Sequence, residues 1–285
     1  LIQQLCIIGV GLIGGSLARA LKAAGAVSQV IGCGRDPVQL QQALELGVID
    51  RAELDPVVAV QAADVVVLAV PVGAMGGVLR IIAPHLAADT ILTDVGSTKA
   101  SVVEAVQRVF GYLPPRFVPA HPIAGTERSG VAASFAELYQ KRRVILTPLA
   151  ETEVDAVDVV REMWQAAGAE VVEMEVQHHD EVLAATSHLP HMLAFTLVDT
   201  LARMEEHTEI FRFAAGGFRD FTRIASSDPR MWHDICLANR EALLKVLDCY
   251  VTDLAIVREA IASGDSAKLM QIFTHAKKAR DEFKQ

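Results

Sequence analysis

Two patterns of apolar and polar positions divide the chain. Over the first 175 residues, short unbroken apolar runs alternate with stretches of helical spacing, and from about Val176 onward only helical spacing remains. An unbroken run such as Leu5-Cys6-Ile7-Ile8 is what a parallel strand buried on both faces requires. Further strands are read at 29–33, 63–71, 91–94, 117–119, 143–148 and 170–174. Between them, helical spacing marks 12–24, ended by Gly25, 38–46, ended by Gly47, 77–86, a segment after Lys99 through Phe110, and 152–167, ended by Gly168. Strands alternating with helices at this interval predict one doubly wound, mostly parallel α/β sheet of the Rossmann kind. The later helices are expected at 180–202, 230–262 and 266–284. A nucleotide-binding domain over 1–175 followed by an all-α domain over 176–285 is the expected organisation.

Composition narrows the function classes. Hydrophobic residues make up 52% and charged residues 21% of the 285, which fits a well-buried chain rather than a disordered one. The net charge of −9 and the single short basic run, Lys141-Arg142-Arg143, argue against nucleic acid as a partner. Cys6, Cys33, Cys236 and Cys249 are scattered and show neither metal-site nor disulfide-framework spacing. A cytoplasmic location is therefore expected. No apolar run reaches the roughly 18 residues that span a bilayer, and no charged-then-apolar leader opens the chain, so no membrane partner is expected. The sequence begins at Leu1 rather than Met and is read as a trimmed chain or a piece of a longer polypeptide.

The chemistry begins at the first strand end. Gly9-Val10-Gly11-Leu12-Ile13-Gly14 is a GxGxxG turn between strand and helix. In that context the first glycine permits the tight turn, the second lets backbone approach a pyrophosphate, and the third lets helix pack on strand. The N–H groups that open the helix, around Leu12 and Ile13, then face the phosphates. At the second strand end stands Gly34-Arg35-Asp36. An acid there bonds the ribose of NAD, whereas a small residue with an arginine suits the 2′-phosphate of NADP. Gly34 with Arg35 favours NADP, and Asp36 leaves NAD open. Val70 and Pro71, closing the third strand, complete the expected cofactor contacts.

Three polar islands follow. The segment 120–130 gathers His121, Pro122, Thr126, Glu127 and Arg128 among small residues and reads as a polar loop after a strand, where open α/β sheets bind ligands. His121 is there either a titrating catalytic group or a cap on a strand end. Ser97, after the fourth strand, is either a helix cap or a group reaching substrate or nicotinamide. His188 and His191 share a helix face, with Pro190 between them expected to kink the helix and free a carbonyl. They are satisfied helix-face residues or ligand-binding ones. No acidic partner completes a coordination set, so no metal is expected. Finally Gly216-Gly217 opens a stretch with Arg219, Asp220 and Arg223, and guanidinium groups there suit a carboxylate.

Taken in order, GVGLIGGSLA, DVGSTK, HPIAGTERSG, TSHLPH and GGFRDFTRIASSDPRMW resemble the prephenate and arogenate dehydrogenases of tyrosine biosynthesis over nearly the whole chain. The resemblance implies a Rossmann domain, a helical dimerisation domain making a homodimer, and oxidative decarboxylation of prephenate or arogenate with NAD(P). It makes His121 the base that takes the ring-hydroxyl proton. Ser97 is implied to bond the same hydroxyl and orient His121, and Arg223 to hold the ring carboxylate. His188, His191, Thr126 and Glu127 are implied to line the pocket, Trp232 and Asp220 to shape or gate it, and Gly216 to open the carboxylate site. Two rivals stay open: a β-hydroxyacid dehydrogenase or imine reductase, and a dinucleotide sensor without chemistry.

Overall fold

The computed structural model describes residues 2–205 and 207–282. Among the described residues, nine strands form two sheets. Strands β1 (Ile2–Ile8), β2 (Val27–Cys33), β3 (Arg51–Glu53), β4 (Val65–Leu68), β5 (Ile91–Asp94) and β6 (Phe117–Val118) make an all-parallel sheet in the order β3-β2-β1-β4-β5-β6. That order reverses between β1 and β4, which is the switch point where such sheets bind dinucleotides. The second sheet, β7-β8-β9, comprises Ala120–Pro122, Arg143–Leu146 and Glu170–Glu173, with β7 antiparallel and β9 parallel to β8.

Helices α1 (Leu12–Ala23), α2 (Pro37–Glu45), α3 (Pro56–Ala59), α4 (Val72–Ile82), α5 (Ala100–Phe110) and α6 (Val154–Ala166) connect the strands. Then come α7 (Val176–Leu183), α8 (Leu189–Ala202), α9 (His207–Arg212), α10 (Gly216–Thr222), α11 (Pro229–Ala238), α12 (Arg240–Ser263) and α13 (Ser266–Glu282). The parallel sheet separates two apolar layers. Leu5, Ile7, Leu17 and Trp164 lie in one and Cys6, Ile8, Leu68, Met75 and Phe117 in the other, so β1 alternates between them as its pleat demands.

Several sequence expectations needed revision. The strands at 143–148 and 170–174 form a separate mixed sheet rather than extending the parallel one. Pro119 lacks a donor, which stops the ladder after β6, and the chain steps across to pair Ala120 with Leu146. His121 therefore lies within β7 and not in a loop; β7 is an edge strand, where the missing N–H of Pro122 costs no ladder bond. The short strand β3 had no apolar run to reveal it, because it is an exposed sheet edge. Helix α4 begins at Val72, directly after Pro71, five residues ahead of the expected start at Gly77. Gly216-Gly217 opens helix α10, in line with the glycine-opened stretch read from the sequence. The expected end of the last helix at Lys284 lies outside the described residues.

By packing, the chain divides into compact units Leu1–Arg240 and Glu241–Gln285. Helices α7 to α11 thus belong with the nucleotide-binding sheets in the larger unit. The smaller unit consists of most of α12 together with α13, and Ala242, Leu243 and Ala260 are its buried apolar residues among those described.

Candidate active site

Three neighbouring strands end on one side of the sheet. At the end of β1, Gly9 has φ +104°, and a Cβ there would stand 2.5 Å from the Ala69 carbonyl oxygen. A Cβ on Gly14 would stand 2.4 Å from the Gly9 oxygen, so both positions demand glycine for packing. Gly11 differs, since nothing lies within 4 Å of its would-be Cβ. It precedes α1, which has no side-chain cap and no acid in its first turn. The strand end thus presents open backbone and the uncapped N–H groups of a helix start, a cradle that fits a dinucleotide pyrophosphate. At the end of β2, the Asp36 carboxylate accepts from the amides of Val38 and Gln39 and so caps α2, while Arg35 is exposed beside it.

After β5 the polar groups become buried. The Lys99 ammonium is fully buried, pairs with Asp94 and donates to the Ala120 carbonyl at 2.7 Å. The other Asp94 oxygen accepts from the Ala120 amide at 3.2 Å. This pair clamps the peptide immediately before His121 from both sides. Burial pulls the Lys99 pKa below its usual value, against the upward pull of Asp94 and Asp180.

His121 is 8% exposed, and its Nδ1 lies 2.9 Å from Nε2 of His179. The Nδ1 of His179 lies 2.8 Å from Asp180, whose carboxylate also accepts the amides of Lys99 at 2.8 Å and Ala100 at 2.9 Å. Asp180 is thus anchored on the start of α5. Although burial opposes it, the bonds from His179 and the two amides hold the Asp180 pKa below its ordinary value. Burial, followed by the charges of His179, Lys99 and His188, drives the His121 pKa well below that of a free imidazole. His121 is therefore neutral at neutral pH and able to accept a proton.

The π-helical turn Ala184–His188 between α7 and α8 places His188 and His191. This π-helical turn directly precedes Pro190, which sits in the first turn of α8, and the Ser187 carbonyl accepts from His191 Nδ1 at 2.8 Å. Asn239 donates to His188 Nδ1 at 3.1 Å and to the Asp180 carbonyl at 2.8 Å. His188 consequently carries its proton on Nε2, a buried atom with no hydrogen-bond partner of normal geometry. Burial pushes its pKa down to about 4, and the main chain of Ser97 pulls weakly the other way. Trp232 stacks on His191 with ring centroids 3.7 Å apart, and its indole nitrogen is likewise buried without a partner. The Trp232 nitrogen and His188 Nε2 are both closed off from solvent, so the two rings form a packed wall beside His191.

Arg223 lies 3.6 Å from Glu127, both exposed, and its charge also bears on His191. Thr126 accepts from the Arg128 amide in the same loop. The fold thus gathers His121, His188, His191, Trp232, Arg223 and Glu127 from β7, the loop after it, the π-helical turn, α8, α11 and the end of α10. Asp220 and Gly216 stand exposed on α10, and among the described residues neither makes a hydrogen bond or ion pair to the cluster. Ser97 is half-buried on the loop before α5. Among the described residues its hydroxyl makes no hydrogen bond to His121, whose ring is held by His179 instead. Val70 and Pro71 sit beside the glycine turn, with Val70 near Gly9. Sequence reasoning gave no role to Asp180, Lys99 and Asn239, and weighed His179 only as a further donor beside His188 and His191. No group of three or more His, Cys, Asp or Glu suited to a metal ion occurs among the described residues.

Comparison with known proteins shows the family to which this fold belongs. Residues 17–173 match the family model "Prephenate dehydrogenase, nucleotide-binding domain", and residues 175–275 match "Prephenate dehydrogenase, dimerization domain". The chain is 44% identical over 281 residues to a cyclohexadienyl dehydrogenase of Zymomonas mobilis, covering 98% of this chain and 95% of that one. It superposes on the Aquifex aeolicus prephenate dehydrogenase, solved with hydroxyphenyl propionate and NAD+, with TM-score 0.91 and 36% identity, covering 100% and 99% of the two chains. Against the Synechocystis arogenate dehydrogenase the TM-score is 0.81 with 27% identity, covering 99% and 100%. The chain belongs to the prephenate dehydrogenase family, a family of oxidoreductases. The β-hydroxyacid dehydrogenase and imine reductase readings fall away here.

Proposed function

We propose that this protein carries out the NAD(P)-dependent oxidative decarboxylation of prephenate to 4-hydroxyphenylpyruvate, of arogenate to tyrosine, or of both. The observation that carries the reading is His121, a buried neutral imidazole in the family's HPIAGTERSG motif, with Nδ1 engaged by His179 and, among the described residues, no hydrogen bond at Nε2. A dinucleotide, when bound, supplies the hydride acceptor. His121 takes the proton of the ring hydroxyl through Nε2 as the carbinol C–H bond breaks. The bond from the ring to its carboxylate then breaks, CO2 leaves and the ring becomes aromatic, which makes the step effectively irreversible. Arg223 grips the carboxylate, while His188 and His191 line the pocket and Trp232, stacked on His191, shapes it. Ser97, on the loop beside His188, donates to the same ring hydroxyl that His121 deprotonates.

Between the two dinucleotides, the occupied Asp36 carboxylate and the exposed Arg35 support NADP. The helical domain supports a homodimer. In α12, exposed Leu244, Leu254 and Ile261, with Val251 between, follow one another at steps of seven and three, the spacing of a packing seam. Met270 and Phe273 add an apolar patch on α13.

The test is to follow reduced-nicotinamide absorbance while offering purified protein prephenate and arogenate, each with NAD and with NADP. Turnover of at least one ring substrate, faster with NADP, is expected. Binding of dinucleotide without turnover of either substrate would return the protein to the sensor reading.

A further inference from the structure

We infer that His179 and Asp180 form a positioning relay that fixes the tautomer of His121, leaving the lone pair of its Nε2 directed to the reacting hydroxyl. The inference rests on His121 being the base proposed above, but its geometry stands apart from any substrate. Asp180 is a carboxylate that already accepts two main-chain amides at the start of α5, so its position is set before either imidazole is considered. A carboxylate can only accept, and His179 Nδ1 at 2.8 Å must therefore carry a proton. A neutral His179 then has an unprotonated Nε2, and the 2.9 Å bond to His121 requires that His121 Nδ1 be the donor. Two hydrogen bonds thus determine which nitrogen of His121 is basic. The opposite assignment would place two lone pairs against each other at Asp180.

The alternative of a charged His179 is disfavoured by its surroundings. It is fully buried, Lys99 lies near, and burial outweighs the pull of Asp180 to keep its pKa below the usual value. Among the described residues His121 Nε2 makes no hydrogen bond, yet unlike Nε2 of His188 it is not sealed from solvent. It is the reachable end of the relay. Every charged or titratable neighbour has a part. Asp180 on α7 acts on His121 through His179; Lys99, Asp94, His179 and His188 complete its polar surroundings, and burial first, then the charges of His179, Lys99 and His188, keeps the resting ring neutral.

The relay predicts a division of labour that a purely structural role would not produce. Replacing His179 by Ala should lower kcat about 10- to 100-fold, a share of the ~10²–10⁴-fold that a placed general base supplies, with KM nearly unchanged. Replacing it by Gln should restore much of the loss, because the amide oxygen can accept from Nδ1 of His121. The direct test is the long-range ¹H–¹⁵N spectrum of imidazole-labelled protein. Wild type should show His121 with a protonated Nδ1 and a bare Nε2, and His179→Ala should show averaged nitrogen shifts at His121. A wild-type His121 protonated on Nε2 would overturn the relay, as would a folded His179→Ala protein with unchanged tautomer and kcat. Because the wild-type spectrum needs neither substrate nor a variant, it separates failure of the relay from failure of the proposed reaction.

Discussion

His121 is held by three different forces, and each has its own consequence. The Asp94–Lys99 pair clamps the preceding peptide, His179 fixes the ring, and burial keeps the ring neutral. A base whose pKa lies below the usual imidazole value stays unprotonated as pH falls through the mid-acid range. The acid limb of kcat/KM should therefore lie below pH ~6.5, the value for a free histidine, and a pH–rate profile checks it. Arg223 acts differently. It is exposed and loosely paired with Glu127, so Arg223→Ala should leave the fold intact and raise KM for the ring substrate about tenfold or more, read from steady-state kinetics. At this scale the sequence exposed His121, Arg223, His188 and Trp232, because motif and residue type coincide there. It concealed His179 and Asp180, whose neighbours in sequence, His178 and Glu181, are equally polar. Only the turn of α7 shows which pair faces inward.

The glycine turn illustrates what an element-scale argument can separate. Gly14 lies against backbone and Gly11 against empty space, although the motif treats them alike. Gly14→Ala should destabilise the protein by about 1–3 kcal/mol, through forced displacement of α1 from β1, and lower its melting temperature. Gly11→Ala should leave melting nearly unchanged yet weaken dinucleotide binding, because its methyl group would occupy the space the phosphates approach. Thermal melts and dinucleotide titrations of both variants distinguish these outcomes. Most strands and helices were legible because burial on both sides of a parallel sheet writes apolar runs into the sequence. The edge strand β3 and the split into two sheets were not. An exposed edge has no apolar signature, and a chain crossing between sheets at Pro119 resembles a simple strand end.

Over the whole molecule, the buried histidines tie stability to pH. A histidine whose folded pKa is lowered binds fewer protons folded than unfolded, so stability falls as pH drops below the unfolded value near ~6.5. For His188, with a folded pKa of about 4, the loss over that window is on the order of 3 kcal/mol. His121, His179 and His191 act in the same direction. Denaturant unfolding at successive pH values should show stability declining steadily from neutral pH toward pH ~4. An apolar seam on the helical domain predicts a second whole-molecule property: Leu254→Asp should convert a dimer to monomers in sedimentation, and a monomeric wild type would refute the seam's role.

The central claim is that one neutral imidazole removes the proton that drives oxidation of the ring. The measurement that addresses it most directly is the turnover of His121→Asn beside wild type, with dinucleotide and substrate binding measured on the same samples. Asparagine keeps the approximate shape but cannot take up the proton, so kcat should fall about 10²–10⁴-fold while both affinities stay close to wild type. Near-normal turnover in a His121→Asn protein that binds both ligands would contradict the account, and the base would have to be sought elsewhere in the site.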